Sequence, residues 1–119
     1  MDADIQRFGV TRRWSDVVTH GGTAYFVEVA DDPNQPFRGQ VTQILEQIDA
    51  RLNSLGCDRT RLLQVQIYLT DLANGPALNE LWDAWVPQGH APSRACVQAG
   101  LAAGYHIELV ITAALNRHQ

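Results

Sequence analysis

The chain has 119 residues, of which 45% are hydrophobic and 18% are charged, and its formal net charge at pH 7 is -4. Domains usually span about 100–200 residues, so we expect one domain over residues 1–119, and this composition excludes a disordered chain. All nine basic residues are arginines spread along the sequence, which disfavours a nucleic-acid surface because phosphate binding needs concentrated positive charge. The absence of lysine excludes Schiff-base chemistry and covalent pyridoxal attachment on this chain.

Targeting and metal-binding signals are also missing from the sequence. The N-terminal segment has acidic residues and no apolar h-region, and no apolar run approaches the ~18 residues of a membrane span. Cys57 and Cys96 show no metal or disulfide spacing, and the four histidines lack a paired ligand spacing. We therefore expect a soluble cytoplasmic protein with no metal, no cofactor, no nucleic-acid partner and no membrane contact.

The first half of the chain reads as a hairpin followed by a helix. Asp16–His20 and Thr23–Ala30 flank Gly21-Gly22, which predicts a β-hairpin with a primed turn. Phe37–Leu55 carries apolar residues at three- and four-residue steps, which predicts a helix, and Gly56 is placed to end it.

The second half alternates between strands and a helix. Leu62–Thr70, Ser93–Gln98 and His106–Ala114 are predicted strands, and a helix is predicted from about Pro76 to Trp85. The order β-β-α-β-α-β-β predicts an α/β (α+β) fold in which two helices pack on one face of a mixed sheet. Because two helices cannot cover both faces, we expect self-association to cover the other.

Two charged residues lie within otherwise apolar strands. Arg94 opens one strand, where its planar fork of donors matches a carboxylate ligand; the alternative is an exposed arginine or a structural ion pair. Glu108 is the only charged residue within its strand, where a carboxylate can hold or activate a water. The alternatives for Glu108 are a salt bridge to Arg94 and exposure on a sheet face.

Local pattern also predicts which residues share a face of the sheet. If the last two strands form a simple hairpin centred near Ala102, then Arg94, Cys96 and Glu108 face the same side. Trp14 precedes the first hairpin and is a candidate to line a pocket or an interface.

Six short segments together resemble a known family. The matching region runs from Arg13 to about Ala114, and the segments that carry it are Arg13–Asp16, Gly39-Gln40, Gln64–Leu72, Leu78–Trp82, Pro92–Val97 and His106–Val110. Because all six occur in order at compatible spacing, the sequence is similar to the RidA/YjgF family of small enamine/imine deaminases, in a less-studied branch of it.

The resemblance implies a chorismate-mutase-like fold that assembles as a homotrimer with clefts between subunits. In that fold Leu62–Thr70 lies between the last two strands, which replaces the simple hairpin. The resemblance therefore implies that Arg94 and Glu108 lie near one cleft without being ladder partners.

The resemblance also implies roles for individual residues. Arg94 matches the arginine that clamps the substrate carboxylate, and Glu108 matches the glutamate that holds the attacking water. Cys96 matches a residue whose backbone contacts the substrate, while Asn79 and Trp14 match positions that line the cleft. The implied reaction adds water to a 2-aminoacrylate-type imine and releases a 2-oxo acid and ammonia. A positioned water and an oriented substrate suffice for so reactive an electrophile, so neither metal nor cofactor is implied.

The sequence departs from the family pattern at several positions. Trp14 stands where many members have tyrosine, Ala95 replaces a frequent serine, and the strand Tyr25–Ala30 lacks a common Gly-Gln element. Glu28, in that strand, would place negative charge near the carboxylate site if it points inward.

Two other hypotheses are a non-catalytic trimer that binds small carboxylates or acts as a holdase-like interaction protein, and chorismate-mutase-type chemistry on the same fold. A ribonuclease activity, sometimes proposed for relatives, is disfavoured by the net negative charge of the chain.

Overall fold

A computed structural model describes residues 4–116 of the chain. Within this range the strands and helices, in chain order, are β1 (Ile5–Phe8), β2 (Val17–His20), β3 (Thr23–Val29), α1 (Phe37–Ser54), β4 (Leu62–Leu69), α2 (Gly75–Trp85), β5 (Ser93–Gln98) and β6 (Ile107–Ala114). Short 3-10 helices precede β4 at Arg59–Arg61 and α2 at Leu72–Asn74. The predicted mixed α+β fold is confirmed, and each predicted element lies within one residue of its observed bounds.

The strand β1 is the element that the sequence pattern did not predict. All four of its residues are exposed, so it carries no alternation of buried and exposed positions to mark it as a strand. It pairs antiparallel with β2, placing Phe8 opposite Val17, and so forms one edge of the sheet.

The strands of residues 4–116 form one sheet in the order β1-β2-β3-β6-β4-β5. Neighbouring strands are antiparallel except β4 and β5, which are parallel. The hairpin predicted for the last two strands is therefore wrong, whereas the resemblance correctly placed β4 between them. Strands two places apart lie about 10 Å from each other, and residues 99–106 connect β5 to β6 across the end of β4.

The hairpin between β2 and β3 has the primed turn that its Gly-Gly pair predicts. Gly21 and Gly22 have φ values of 60° and 83°, in the left-handed region where glycine carries no steric penalty. The hairpin aligns Val17 with Phe26 on the face of the sheet that packs against the helices.

Both helices pack on one face of the sheet and form the core with it. The buried apolar residues of the helices include Val41, Ile44, Ile48, Leu52, Leu78, Trp82 and Trp85. They pack against inward-facing strand residues, among them Val65, Ile67, Leu69, Ile107, Leu109 and Ile111. Of the helices within residues 4–116, none combines the length and apolarity needed to cross a bilayer.

The opposite face of the sheet carries exposed apolar residues alongside polar ones such as Gln66 and Thr112, and it has no helix over it in the described chain. Tyr25, Val27 and Val97 are 46%, 53% and 42% exposed on this face. Val110 and Tyr68 lie between them on the central strands and are half-buried. This uncovered face fits the expectation that other copies of the chain pack against it.

Gln40 joins the loop before α1 to the loop before β6. Its side chain is fully buried, and its Nε2 lies 2.9–3.0 Å from the backbone oxygens of Pro33, Gln35 and Gly104. Its Oε1 accepts a hydrogen bond from the backbone N–H of His106 at 2.9 Å. These contacts fix the entry of the chain into β6, two residues before Glu108.

Candidate functional site

Arg94 lies on the edge strand β5 and faces the helices, as its parallel neighbour Val65 does. Its Nη2 donates a hydrogen bond to Asn79 Oδ1 on α2 at 2.8 Å, and its guanidinium carbon lies 5.5 Å from the ring centroid of Trp82. Within residues 4–116 no carboxylate lies within salt-bridge distance of this exposed arginine. The structural ion pair considered for Arg94 is therefore not formed there, and the guanidinium is oriented while it can still bind an anion.

Cys96 lies two residues further along β5, on the same face as Arg94. It is half-buried against the core beside Ile67 of β4. Burial raises the pKa of its thiol, and the positive charge of Arg94 only partly offsets this effect. A neutral thiol is a poor nucleophile, so this environment favours the backbone role over covalent chemistry.

Glu108 lies on the other face of the sheet. It is paired with Val29 of β3 and with Tyr68 of β4, and Tyr68 is in turn paired with Val97 of β5. Residues paired across strands share a face, so Glu108 lies on the face of Val97 and not on that of Arg94. The prediction that these two charged residues share a face is wrong, because it assumed direct pairing of β5 with β6. Their predicted salt bridge is likewise absent from the described chain.

Glu108 lines a cleft of about 520 Å³ beside the end of β3, beyond the end of β2. Trp14, Val27 and Val29 provide its apolar surface. Trp14 is 61% exposed, and its turn is closed by hydrogen bonds between its backbone and Thr11. Trp14 is therefore placed where it lines this cleft.

The cleft also has a strongly acidic side. Asp16, Glu28 and Asp31 line it together with Glu108, and Arg51 is the basic residue in its lining. Four carboxyl groups and one guanidinium therefore line the cleft, and Arg51 lies beside Glu28.

Glu28 points toward α1 and is only 8% exposed. Its Oε1 accepts a hydrogen bond from Gln47 Nε2 at 2.9 Å, and its Oε2 lies 3.7 Å from Arg51 Nε. Burial raises the pKa of this carboxyl; the Gln47 hydrogen bond and the Arg51 charge oppose that shift, whereas nearby Asp31 and Asp16 add to it. Glu28 lies on the acidic side of the cleft rather than beside Arg94. Sequence reasoning did not find Gln47 and Arg51, whose spacing of four along α1 was the available signal.

A second, smaller pocket of about 390 Å³ lies near the end of α1. Its basic residue, Arg59, binds both carboxylate oxygens of Asp49 at 2.7 and 2.8 Å and also donates to the backbone oxygen of Trp85. Because these partners occupy the guanidinium, Arg59 forms a structural ion pair and is not available to bind an anion in this pocket.

The predicted site residues therefore form two groups within one chain. Arg94, Asn79 and Cys96 belong to the β5 edge and the face that packs against the helices. Trp14 and Glu108 line the cleft beside β3. The structure brings the members of each group together, but the sheet separates the two groups.

The fold and these two groups define a small α+β protein with an arginine on one surface that no carboxylate of residues 4–116 neutralises, and an acid-lined cleft on another. The family model described as Endoribonuclease L-PSP matches residues 4–115. The chain belongs to this family, whose members also carry the names RutC and YjgF, and the resemblance inferred from the sequence is confirmed.

Individual relatives match over nearly their full length. A RutC family protein of Haemophilus ducreyi is 39% identical over 117 residues, which cover 97% of this chain and 99% of that protein. The RutC family protein YoaB of Escherichia coli strain K12 is 41% identical over 112 residues, covering 93% and 98%. A crystal structure of a YjgF family member from Neisseria meningitidis superposes with a TM-score of 0.90 at 36% identity, covering 97% of this chain and 98% of that one.

Proposed function

We propose that the protein hydrolyses 2-imino acids, formed from 2-aminoacrylate-type enamines, to 2-oxo acids and ammonia. The observation that carries this proposal is the guanidinium of Arg94, which Asn79 and Trp82 orient and which no carboxylate of residues 4–116 neutralises. The N–H groups of a planar guanidinium bind both oxygens of a small carboxylate through two parallel hydrogen bonds.

The complete site requires two copies of the chain. Arg94 and Glu108 lie on opposite faces of one sheet, so they can act on one small substrate only if they come from different copies. The exposed apolar residues Tyr25, Val27 and Val97 support association through the uncovered face. The resemblance implies a homotrimer with clefts between subunits, and we infer that the cleft of one copy receives Arg94 from its neighbour.

The reaction needs orientation and a positioned water. Arg94 holds the carboxylate while the apolar surface of Trp14 packs against the substrate. Glu108 accepts a hydrogen bond from a water and takes its proton as the oxygen attacks the imine carbon. Glu108 returns that proton to the nitrogen, which gives a carbinolamine. Transfer of the hydroxyl proton to the amino group, again through Glu108, lets the C–N bond break, and ammonia leaves as the carbonyl forms. Holding the reacting groups in this geometry supplies much of the catalysis when the electrophile is already reactive.

The acidic cleft favours this reaction over cleavage of RNA, the activity in the family model's description. Four carboxyl groups against one guanidinium would repel a phosphate backbone, whose binding depends on concentrated positive charge. A small imino acid, by contrast, brings a single carboxylate that Arg94 can neutralise.

The test measures imine hydrolysis directly. A pyridoxal-dependent dehydratase generates 2-aminoacrylate or 2-iminobutanoate, and release of the 2-oxo acid is followed with and without the protein. The matched variants are Arg94→Ala and Arg7→Ala, the latter an exposed arginine on β1. We expect Arg94→Ala to lower kcat/KM by about 10- to 150-fold, the loss of a hydrogen bond to a charged group.

Arg7→Ala should leave the rate unchanged, and both variants should retain the thermal unfolding and assembly mass of the wild type. Full activity in Arg94→Ala would refute the assignment. A wild-type protein that accelerates none of several imines would favour the alternative, a non-catalytic module that binds small carboxylates.

A further inference from the structure

We propose that Trp82 is a positioning residue, whose indole fixes the guanidinium of Arg94 before a substrate carboxylate binds to it. This inference rests on the proposed function, because Arg94 is the group assigned there to hold the carboxylate. Trp82 is only 5% exposed and belongs to the core, so it acts through Arg94 and does not touch the substrate.

Two contacts from α2 hold the guanidinium of Arg94. Its carbon lies over the indole of Trp82, 5.5 Å from the ring centroid and within the roughly 6 Å at which an aromatic face attracts a cation. Its Nη2 donates a hydrogen bond to Asn79 Oδ1 at 2.8 Å. Asn79 and Trp82 are three residues apart on α2, so they lie on one face of the helix and both reach the same side chain.

These contacts leave most of the guanidinium available for an anion. A guanidinium has several N–H donors, and its attraction to an indole comes from the ring quadrupole and does not require any of them. The hydrogen bond to Asn79 is the one that the guanidinium forms within residues 4–116. Because Asn79 and Trp82 are both uncharged, they orient Arg94 without neutralising it.

The other tryptophan of α2 holds an arginine in a different way. The guanidinium carbon of Arg59 lies 4.9 Å from the ring centroid of Trp85, and Trp85 Nε1 donates to Asp49 Oδ2 at 3.2 Å. Asp49 also accepts two hydrogen bonds from Arg59, so that arginine is both oriented and neutralised. Arg94 has the aromatic contact but no carboxylate partner within residues 4–116, as expected of an arginine that binds a ligand.

Trp82 is a rigid support for a side chain that would otherwise be mobile. Its buried ring packs against that of Trp85, with centroids 5.5 Å apart and planes tilted by 46°. Arg94 is exposed on an edge strand, where a long side chain samples many rotamers unless something fixes it. Fixing such a side chain in advance removes an ordering cost that would otherwise weaken ligand binding by about 2- to 13-fold.

The first experiment measures carboxylate binding without turnover. Calorimetry gives the Kd of 2-oxobutanoate, the stable product expected from 2-iminobutanoate. Trp82→Leu removes the aromatic face, Trp82→Phe keeps a smaller one, and the matched control Trp85→Leu removes the indole that contacts Arg59. We expect Kd to rise by about 2- to 13-fold in Trp82→Leu and by less in Trp82→Phe, and to stay unchanged in Trp85→Leu.

A double-mutant cycle separates positioning from a general effect on the fold. If Trp82 acts through Arg94, replacing it should weaken binding in the wild-type background and have no further effect once Arg94→Ala is present. Trp82→Phe is taken through the same cycle and gives the answer if Trp82→Leu folds poorly. An equal rise in Kd in both backgrounds, or no rise in either Trp82 variant, would overturn the inference.

A measurement without ligand keeps this inference separate from the proposed function. NMR relaxation of the arginine Nε–H groups reports how firmly each guanidinium is held in the free protein. In the wild type, the order parameter of Arg94 should approach that of Arg59, which Asp49 holds, and exceed that of the exposed Arg7. Trp82→Phe should lower it, and Trp82→Leu should lower it further.

The two proposals can therefore fail independently. A wild type that hydrolyses no imine refutes the deaminase proposal, while an ordered Arg94 that loosens in the Trp82 variants still supports the positioning role. An Arg94 as mobile as Arg7 in the wild type, or equally ordered with and without the indole, refutes the positioning role whatever the protein hydrolyses.

Discussion

Gln40 allows a direct test of the contacts that join the loop before α1 to the loop before β6. Replacing it with methionine keeps an unbranched side chain of similar length inside α1 and removes every side-chain hydrogen bond. Three backbone oxygens, those of Pro33, Gln35 and Gly104, then lose a donor, and the backbone N–H of His106 loses its acceptor. Because the amide nitrogen has only two hydrogens, the side chain makes three hydrogen bonds at a time, two as donor and one as acceptor. At about 1 kcal/mol for each bond, the low end of the range because the loops lie near water, the free energy of unfolding should fall by about 3 kcal/mol.

That loss is a large part of the roughly 5–15 kcal/mol by which domains are stable, and it corresponds to a fall in Tm of about 11 °C. Urea unfolding followed by fluorescence of the buried Trp82 and Trp85 measures it, with all samples at one protein concentration because association would shift the midpoint. Gln88→Met is the control, since Gln88 is exposed and its side chain makes no hydrogen bond within residues 4–116. If Gln40→Met and Gln88→Met unfolded within about 1 kcal/mol of each other, the structural role given to Gln40 would be wrong.

Two further predictions concern the uncovered face and the buried carboxyl. Val27→Asp places a charge on the uncovered face of the sheet and should reduce the assembly to smaller species, which light scattering measures. Thr42→Asp, at an exposed position of α1, should leave the assembly mass unchanged. Equal masses for the two variants would argue against association through the uncovered face. Because folding raises the pKa of Glu28, the folded state binds more protons than the unfolded state between the two pKa values, so the wild type loses stability as the pH rises through that window. Unfolding measured from pH 4 to pH 8 should therefore show Glu28→Gln gaining relative to wild type as the pH rises, and a constant difference would contradict the assigned burial.

The helices and strands were predictable because their signals are local. The apolar steps of α1 and the alternation in β4 mark their own boundaries, and Gly56, with a φ of 77°, ends α1 as predicted. The strand β1 escaped prediction because all of its side chains are exposed and no burial pattern distinguishes it from a loop.

Strand order and the composition of the cleft depend on contacts between distant segments. Nothing within β5 or β6 indicates that β4 lies between them, so local pattern placed Arg94 and Glu108 on one face, and only the resemblance corrected the strand order. The pairing of Glu28 with Gln47 and Arg51 depends on how α1 crosses β3, with 19 residues between Glu28 and Gln47. Arg94, Glu108 and Trp14 were identified as candidates because each is chemically unusual for its local segment.

The division of the site between two faces of one sheet has a consequence for how activity depends on dilution. If the cleft is completed by a neighbouring copy, an isolated chain keeps its hydrophobic core but can place only one of Arg94 and Glu108 beside any one substrate. Turnover would then disappear cooperatively as the assembly dissociates, before the fold itself is lost. An Arg94 variant and a Glu108 variant, each strongly impaired alone, would form some intact sites when their subunits are mixed, because each supplies the residue that the other lacks.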